Sequence, residues 1–349
     1  MTTVVLRADA SVGVGTGHVM RSLALAQAIG AAGGEPLLAV AECPEELLGR
    51  ARSVGVGTHV LGVDVGSDRD VAATLALARA RGASWVVLDG YGFGPDVPRG
   101  LRRAGQRVAQ VDDFAHQEDY EVDLLLNPNS HAREGAYPRA GRRLLGPRYA
   151  LLRPEFSAAI ADGPARQVPP RARRILVTMG GSDPSNATGS VLAALERMGG
   201  ADLAIQVLLG PANPHGEAVR AAAGALEGCE VLDAVEDMIP LLRWADLALG
   251  AGGSTLWELA ALGVPCACVV LAENQAPIVE DLAGRGVVES LGWDRDLEVE
   301  ACSRRLRALI GDPTRRASMA AAGRDLVDGR GAERVAGALL GSGPGTSGS

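Results

Sequence analysis

The sequence predicts an α/β chain of two Rossmann-like domains, each built on a parallel sheet, and three observations carry that expectation. Short apolar runs alternate with Ala- and Leu-rich segments of helical period in both halves, the rhythm of repeated βαβ units. The 349 residues exceed the ~250 at which a single core stops growing. A stretch rich in Pro, Arg and Ala, Asp162 to Arg174, parts the two rhythmic halves with the composition of a linker.

Strands are expected in the first half at Val4 to Leu6, Pro36 to Val40, His59 to Leu61, Trp85 to Leu88, Val108 to Val111 and Leu124 to Leu126. In the second half they are expected at Ile175 to Met179, Ala204 to Leu209, Glu230 to Leu232, Leu247 to Leu249, Cys266 to Val270 and Val287 to Ser290. The expected organisation is a first domain over 1–161, a linker over 162–174, a second domain over 175–340 and a disordered low-complexity tail over 341–349.

Composition narrows the function classes. At 47% hydrophobic and 22% charged, the chain has enough apolar side chains for packed cores and lacks the charge excess of a disordered protein. All 34 basic residues are arginine. The net charge of -8 argues against a nucleic-acid partner, because binding a phosphate backbone needs a basic face. Five cysteines without C-x-x-C spacing suggest neither a disulfide framework nor a zinc site. No signal segment and no membrane-length apolar run is evident, so a cytoplasmic protein without a membrane span is expected. No cofactor is expected, and the oligomeric state is left open.

Two glycine loops carry the candidate chemistry. In the first, the strand at Val4 leads into Arg7-Ala8-Asp9 and a Gly-rich stretch, and helical spacing resumes at Leu23, Ala26 and Ile29. His18 therefore falls in the first helical turn, where the positive end of the helix disfavours imidazolium and leaves the ring available as a base. Gly17 lets a ligand approach the backbone. A dinucleotide fingerprint is the rival reading, but after Gly13 and Gly15 the third glycine position is occupied by His18. A capping or core histidine is the bland alternative.

In the second loop, Gly252, Gly253, Ser254 and Thr255 follow the strand at Leu247 and open a helix, a backbone arrangement suited to a diphosphate. No Walker lysine is present. Glu258 lies one turn further along, where a carboxylate can accept from both hydroxyls of a ribose. Ser254 as a plain helix cap and Glu258 as a surface acid remain open. Asn274 and Gln275 follow the next strand, at the sheet edge where amides suit sugar hydroxyls or phosphate oxygens.

With both loops read, the chain resembles the UDP-2,4-diacetamido-2,4,6-trideoxy-β-L-altropyranose hydrolases of pseudaminic acid biosynthesis, within the superfamily of GT-B glycosyltransferases and the lipid II-forming transferase. The likeness rests on R-x-D at Arg7 and Asp9, G-x-G-H-x-x-R from Gly15 to Arg21, D-x-Y-G at Asp89 to Gly92 and V-D-D at Val111 to Asp113. It continues through L-L-N-x-N at Leu125 to Asn129, Y-A-L-L-R-P-E-F at Tyr149 to Phe156, M-G-G-S-D-P at Met179 to Pro184, Gly253 to Glu258, and Asn274-Gln275.

The resemblance implies a GT-B-like pair of domains with a cleft between them and a nucleotide sugar as small-molecule substrate. It implies His18 as the base that activates water at the anomeric carbon, with Tyr91 beside the sugar and Asn274 near the sugar or diphosphate. Gly253 to Thr255 would hold the diphosphate and Glu258 the ribose. It also implies metal independence, a helix N-terminus stabilising the leaving group. Asp89 and Asp113 end strands, where they orient His18, position water or cap loops. Arg7, Asp9 and Arg21 are expected as an ion-pair group around the first loop. His59, His116, His131 and His215 match no motif and are expected to be ordinary surface or loop residues. Hydrolysis is the expected reaction. A glycosyltransferase is the alternative, since the same base serves an acceptor hydroxyl. A silent nucleotide-sugar binder, a hydrolysing 2-epimerase and a nicotinamide enzyme are further readings.

Overall fold

The structure, a computed structural model, describes residues 1–11, 14–163, 166–199, 202–233, 235 and 237–341. It resolves into two compact units: Met1–Ser157 with Gly329–Ser349, and Ala158–Asp328. The tail expected to be disordered lies, from 342 on, outside the described residues.

In the first unit the strands are β1 (Thr3–Ala8), β2 (Glu35–Val40), β3 (Gly57–Val60), β4 (Ala83–Asp89), β5 (Arg107–Val111), β6 (Leu124–Asn127) and β7 (Arg142–Leu145). They form one sheet in the order β3-β2-β1-β4-β5-β6-β7, parallel throughout. The central strands are apolar on both faces because helices cover both sides, and Val4, Val5 and Leu6 are fully buried. β7 is the one strand of this sheet not anticipated. Its sequence, Arg-Arg-Leu-Leu, offers only two apolar residues, and its place at the sheet edge requires no more.

The second unit contains β8 (Arg174–Thr178), β9 (Ala204–Leu208), β10 (Cys229–Leu232), β11 (Leu247–Ala251), β12 (Cys266–Val270) and β13 (Val288–Trp293). Their order is β10-β9-β8-β11-β12-β13, again parallel. In both sheets the order reverses beside the first strand, between β1 and β4 and between β8 and β11. Loops diverge at such a switch point and open a crevice at the carboxyl ends of the strands.

The expected domain limits differ from the observed units at both ends of the second half. The helix Gly331–Leu340 returns to the first unit, where Ala332, Val335, Ala336 and Leu339 join the core around Leu23, Ala26 and Ile29. Trp85 donates its indole N–H to the Leu339 carbonyl at 2.7 Å. Gly331 starts that helix against the backbone of Tyr149 and Ala150, an approach that a Cβ would block. Chain order alone assigns this helix to the nearer sheet, whereas its apolar face decides otherwise. The end of the expected linker likewise packs into the second unit: Ala172 is fully buried and donates to the Ile310 carbonyl at 3.1 Å. Among the described residues, no helix is long and apolar enough to cross a membrane.

Candidate functional site

In the first unit, β1 ends at Ala8 and the helix Gly17–Ala31 begins after the glycine loop; Gly13 lies outside the described residues. Gly15 adopts φ +78, a left-handed turn without strain for glycine, and Gly17 opens the helix. His18 follows and is only 6% exposed. Because β4 pairs with β1 in register Ala8↔Asp89, the last residue of β4 stands beside this helix start. Nδ1 of His18 lies 2.7 Å from Oδ1 of Asp89, which is fully buried.

Arg21 sits one helical turn beyond His18 and faces the same way. It grips Asp89 through Nε to Oδ2 at 2.7 Å and Nη2 to Oδ1 at 2.6 Å, a bidentate fork, and donates Nη1 to Oδ1 of Asp113 at 2.8 Å. Asp113 also accepts from the hydroxyl of Tyr91 at 2.6 Å and from Nδ2 of Asn129 at 3.2 Å. The ring of Tyr91 stands edge-on to that of His18, with centroids 4.8 Å apart.

Electrostatics fix the protonation of this cluster. Burial works to raise the pKa of Asp89, but the charge of Arg21, the proximity of His18 and hydrogen bonds from both hold it below the usual carboxylate range. Asp113 is opposed by burial too, and Arg21 with Tyr91 holds it well below that range. An ionised carboxylate only accepts, so the 2.7 Å contact requires the proton on Nδ1 of His18, and in the neutral ring the lone pair is then on Nε2. The close approach of Arg21 Nη2 to Nδ1, at 3.1 Å, is then a contact and not a donation. The arrangement can hold a proton at Nδ1 and accept another at Nε2.

Arg21 thus departs from the expected grouping with Arg7 and Asp9. Those two residues form a separate structural pair. Arg7, fully buried, donates to Asp9 at 2.6 Å and grips Asp70 at 3.0 and 2.9 Å, while Asp9 accepts from the backbone of Ala41 and Glu42. Sequence reasoning missed Asp70, which lies 63 positions from Arg7 in no recognisable motif. It also missed Asp112, 1% exposed, which accepts from Ala115 N, His116 Nδ1, Tyr120 OH and Tyr137 OH. The paired acids at the end of β5 were its visible signal, yet spacing cannot say which acid faces inward.

In the second unit, Gly252, Gly253 and Ser254 connect β11 to the short helix Thr255–Ala261. Ser254 is exposed and makes no side-chain cap hydrogen bond, so plain capping does not account for it. Thr255 and Glu258 are half-buried on the helix. Gln275, with Asn274 in the turn Glu273–Gln275 after β12, uses Oε1 to accept from Gly252 N at 3.2 Å and Leu271 N at 3.0 Å. Its carbonyl thereby ties together the two loops at the ends of β11 and β12. A sugar contact was expected there, and only the amide nitrogen of Gln275 retains that capacity. The backbone N–H of Gly252 is committed as well, which leaves Gly253 to Thr255 as the part of the loop facing outward.

His18, Gly17, Asp89, Tyr91 and Asp113 are therefore brought together in the first unit. In the second unit Gly252, Gly253, Ser254, Thr255 and Glu258 follow β11 and Asn274 and Gln275 follow β12, the two loops being joined through Gln275. Comparison with solved structures fits this pair of sheets. The Acinetobacter baumannii MurG structure superposes with a TM-score of 0.67 at 16% identity, covering 98% of this chain and all of that one. The S. aureus MnaA-UDP co-structure gives a TM-score of 0.68 at 13% identity, covering 100% of both chains. The chain has the GT-B fold.

No family model matches the GT-B chain described here. Its relatives in sequence include the spore coat polysaccharide biosynthesis protein SpsG of Bacillus subtilis (strain 168), 33% identical over 205 residues, or 58% of this chain and 60% of that protein. A second is the UDP-N-acetylglucosamine--N-acetylmuramyl-(pentapeptide) pyrophosphoryl-undecaprenol N-acetylglucosamine transferase of Xanthomonas axonopodis pv. citri (strain 306), 35% identical over 181 residues. That match covers 49% of this chain and 42% of the transferase. The chain spans about half the length of the curated relatives it matches.

Proposed function

We propose that this GT-B chain acts on a nucleotide-activated sugar and transfers the sugar to an acceptor hydroxyl. The His18–Asp89 pair at the first switch point is the observation that carries the reading. In the proposed step the acceptor oxygen attacks the anomeric carbon, its proton passes to Nε2 of His18, and the bond from that carbon to the diphosphate oxygen breaks. One displacement inverts the configuration. Asp89 stabilises the imidazolium that forms, and Arg21 and Asp113 hold Asp89 and Tyr91 in place.

Gly253, Ser254 and Thr255 are assigned to the leaving diphosphate and Glu258 to the ribose, with Asn274 and the amide nitrogen of Gln275 on the sugar or phosphate oxygens. The relatives support transfer, since one is named as a sugar transferase and another as a polysaccharide biosynthesis protein. An exposed aromatic ring, Tyr91 at 42%, stands edge-on to His18 and is in keeping with a nucleophile larger than water.

Hydrolysis is the second reading. The run of motifs shared with the altropyranose hydrolases favours it, as does the burial of His18, which a water molecule reaches most readily. Nucleoside diphosphate release from a panel of UDP- and TDP-sugars, followed by mass spectrometry with and without glycan acceptors, separates the two. Release that depends on acceptor establishes transfer, and equal release without acceptor establishes hydrolysis. Neither release nor binding of any nucleotide sugar would remove the proposal.

A further inference from the structure

The loop after β5 contains a second histidine–aspartate pair that the mechanism does not use. His116 donates Nδ1 to Oδ1 of Asp112 at 2.9 Å, and its ring stacks on Phe114 with centroids 4.8 Å apart and planes 29° apart. Both rings meet Tyr91 edge-on, at 5.6 Å for Phe114 and 5.8 Å for His116, and Tyr91 in turn stands against His18. Of the chain's three Phe and four Tyr, Phe114 and Tyr91 meet here. Tyr91 is also the one aromatic among the large exposed hydrophobics of the described residues.

Hydrogen bonds tie down the turn that carries these rings. Asp112 gathers four donors, including Ala115 N at 2.7 Å and the hydroxyl of Tyr137 at 2.7 Å. Ala115 is kept at φ +55, a left-handed conformation that a residue with a Cβ adopts only where its surroundings compel it. Gln117 anchors the far side by donating Nε2 to the Phe93 carbonyl at 2.7 Å. Asp113 fixes the Tyr91 hydroxyl at 2.6 Å. A turn so tied presents a cluster of partly exposed rings, Phe114 and His116 stacked on each other and both edge-on to Tyr91.

We propose that Phe114 and His116, with Tyr91, form an aromatic wall that takes the non-polar face of a sugar ring beside His18, Phe114 and His116 determining which sugar is accepted. This rests on the reading of the chain as a nucleotide-sugar enzyme. Axial C–H bonds of a pyranose present a weakly positive face to the negative face of aromatic rings, and such contacts orient without a charged partner.

The test uses the full chain, with UDP-N-acetylglucosamine and UDP-glucose as probes in saturation-transfer NMR. The variants are Phe114→Leu, which keeps apolar volume, His116→Gln, which keeps a donor for Asp112, and the two combined. The wild type is expected to saturate both uridine and sugar-ring protons of a bound probe. The double variant is expected to lose sugar-ring saturation about threefold or more while uridine saturation persists, and to raise KM roughly five- to tenfold with kcat within about twofold. Phe114→Leu alone carries the test if the double variant unfolds. Undiminished sugar saturation in the variants, or uridine without sugar saturation in the wild type, overturns the wall. Absence of uridine saturation with either probe, together with absence of diphosphate release across the wider panel, overturns the nucleotide-sugar reading itself.

Discussion

Nδ1 of His18 and Oδ1 of Asp89 lie 2.7 Å apart across 71 positions of sequence, joined because β1 and β4 are neighbours at the switch point. Asp89 selects the tautomer. Asp89→Asn would present an amide that can donate to Nδ1 and so move the proton to Nε2, where the proposed base needs a lone pair. Turnover is expected to fall on the order of 10³-fold or more, with KM for the proposed nucleotide-sugar substrate changed little. Steady-state kinetics on the active substrate measure both, and unchanged kcat would remove Asp89 from the positioning role.

Arg21 is the single cation between two buried carboxylates, Asp89 and Asp113. Arg21→Met leaves both without their charged partner in a low-dielectric setting. Removing one partner of a buried ion pair costs about 3–5 kcal/mol, so a loss of that order in urea unfolding is expected. Arg21→Lys restores a charge but no fork, and recovers only part of the loss. A variant as stable as the wild type would show that the cluster is neutralised some other way.

The same carboxylates set an acid limit. Asp89, Asp112 and Asp113 are each held below the ordinary range, burial being outweighed by Arg21 and His18 for the first, by four hydrogen bonds for the second and by Arg21 and Tyr91 for the third. In the unfolded chain they take up protons near pH ~4, before the folded chain does. Their contribution is therefore complete above that pH and is lost progressively as pH falls below it, toward the depressed folded values. Urea midpoints between pH 3 and 6 should drop most steeply at the acid end, and Asp113→Asn should flatten the slope.

What the sequence disclosed of this molecule follows the range of each interaction. Twelve of the strands announce themselves by apolar runs, a local property, whereas Arg142–Leu145 completes an edge and needs little apolar content. His18 and the loop at Gly252 were legible because glycine before a helix start has a local meaning. Arg21 was visible as a motif residue, but its partners lie 68 and 92 positions away, and only strand order decides that it meets Asp89 and Asp113 and not Asp9. His116 carried no motif at all. Its position beside Tyr91 comes from a left-handed residue, Ala115, which nothing in an Asp-Phe-Ala-His sequence would foretell.

The neighbours Gly252 and Gly253 should respond differently to the same change. A Cβ on Gly252 would stand 2.8 Å from Gln275 Cβ and 2.8 Å from Val279 Cγ2, closer than carbon atoms pack, whereas one on Gly253 meets nothing within 4 Å. Gly252→Ala must therefore push Gln275 away, loosening the acceptor that satisfies both Gly252 N and Leu271 N. Overpacking of this kind costs about 1–3 kcal/mol, while Gly253→Ala should stay within about 0.5 kcal/mol of the wild type. If the loop holds a diphosphate, the ranking is expected to extend to binding: displacing Gln275 moves both loops, so UDP affinity measured by calorimetry should fall for Gly252→Ala even where the protein remains folded. For Gly253→Ala, affinity should fall only to the extent that the added methyl meets the ligand itself. Equal destabilisation by the two alanines would mean that Gln275 is not the strut that sets the loop.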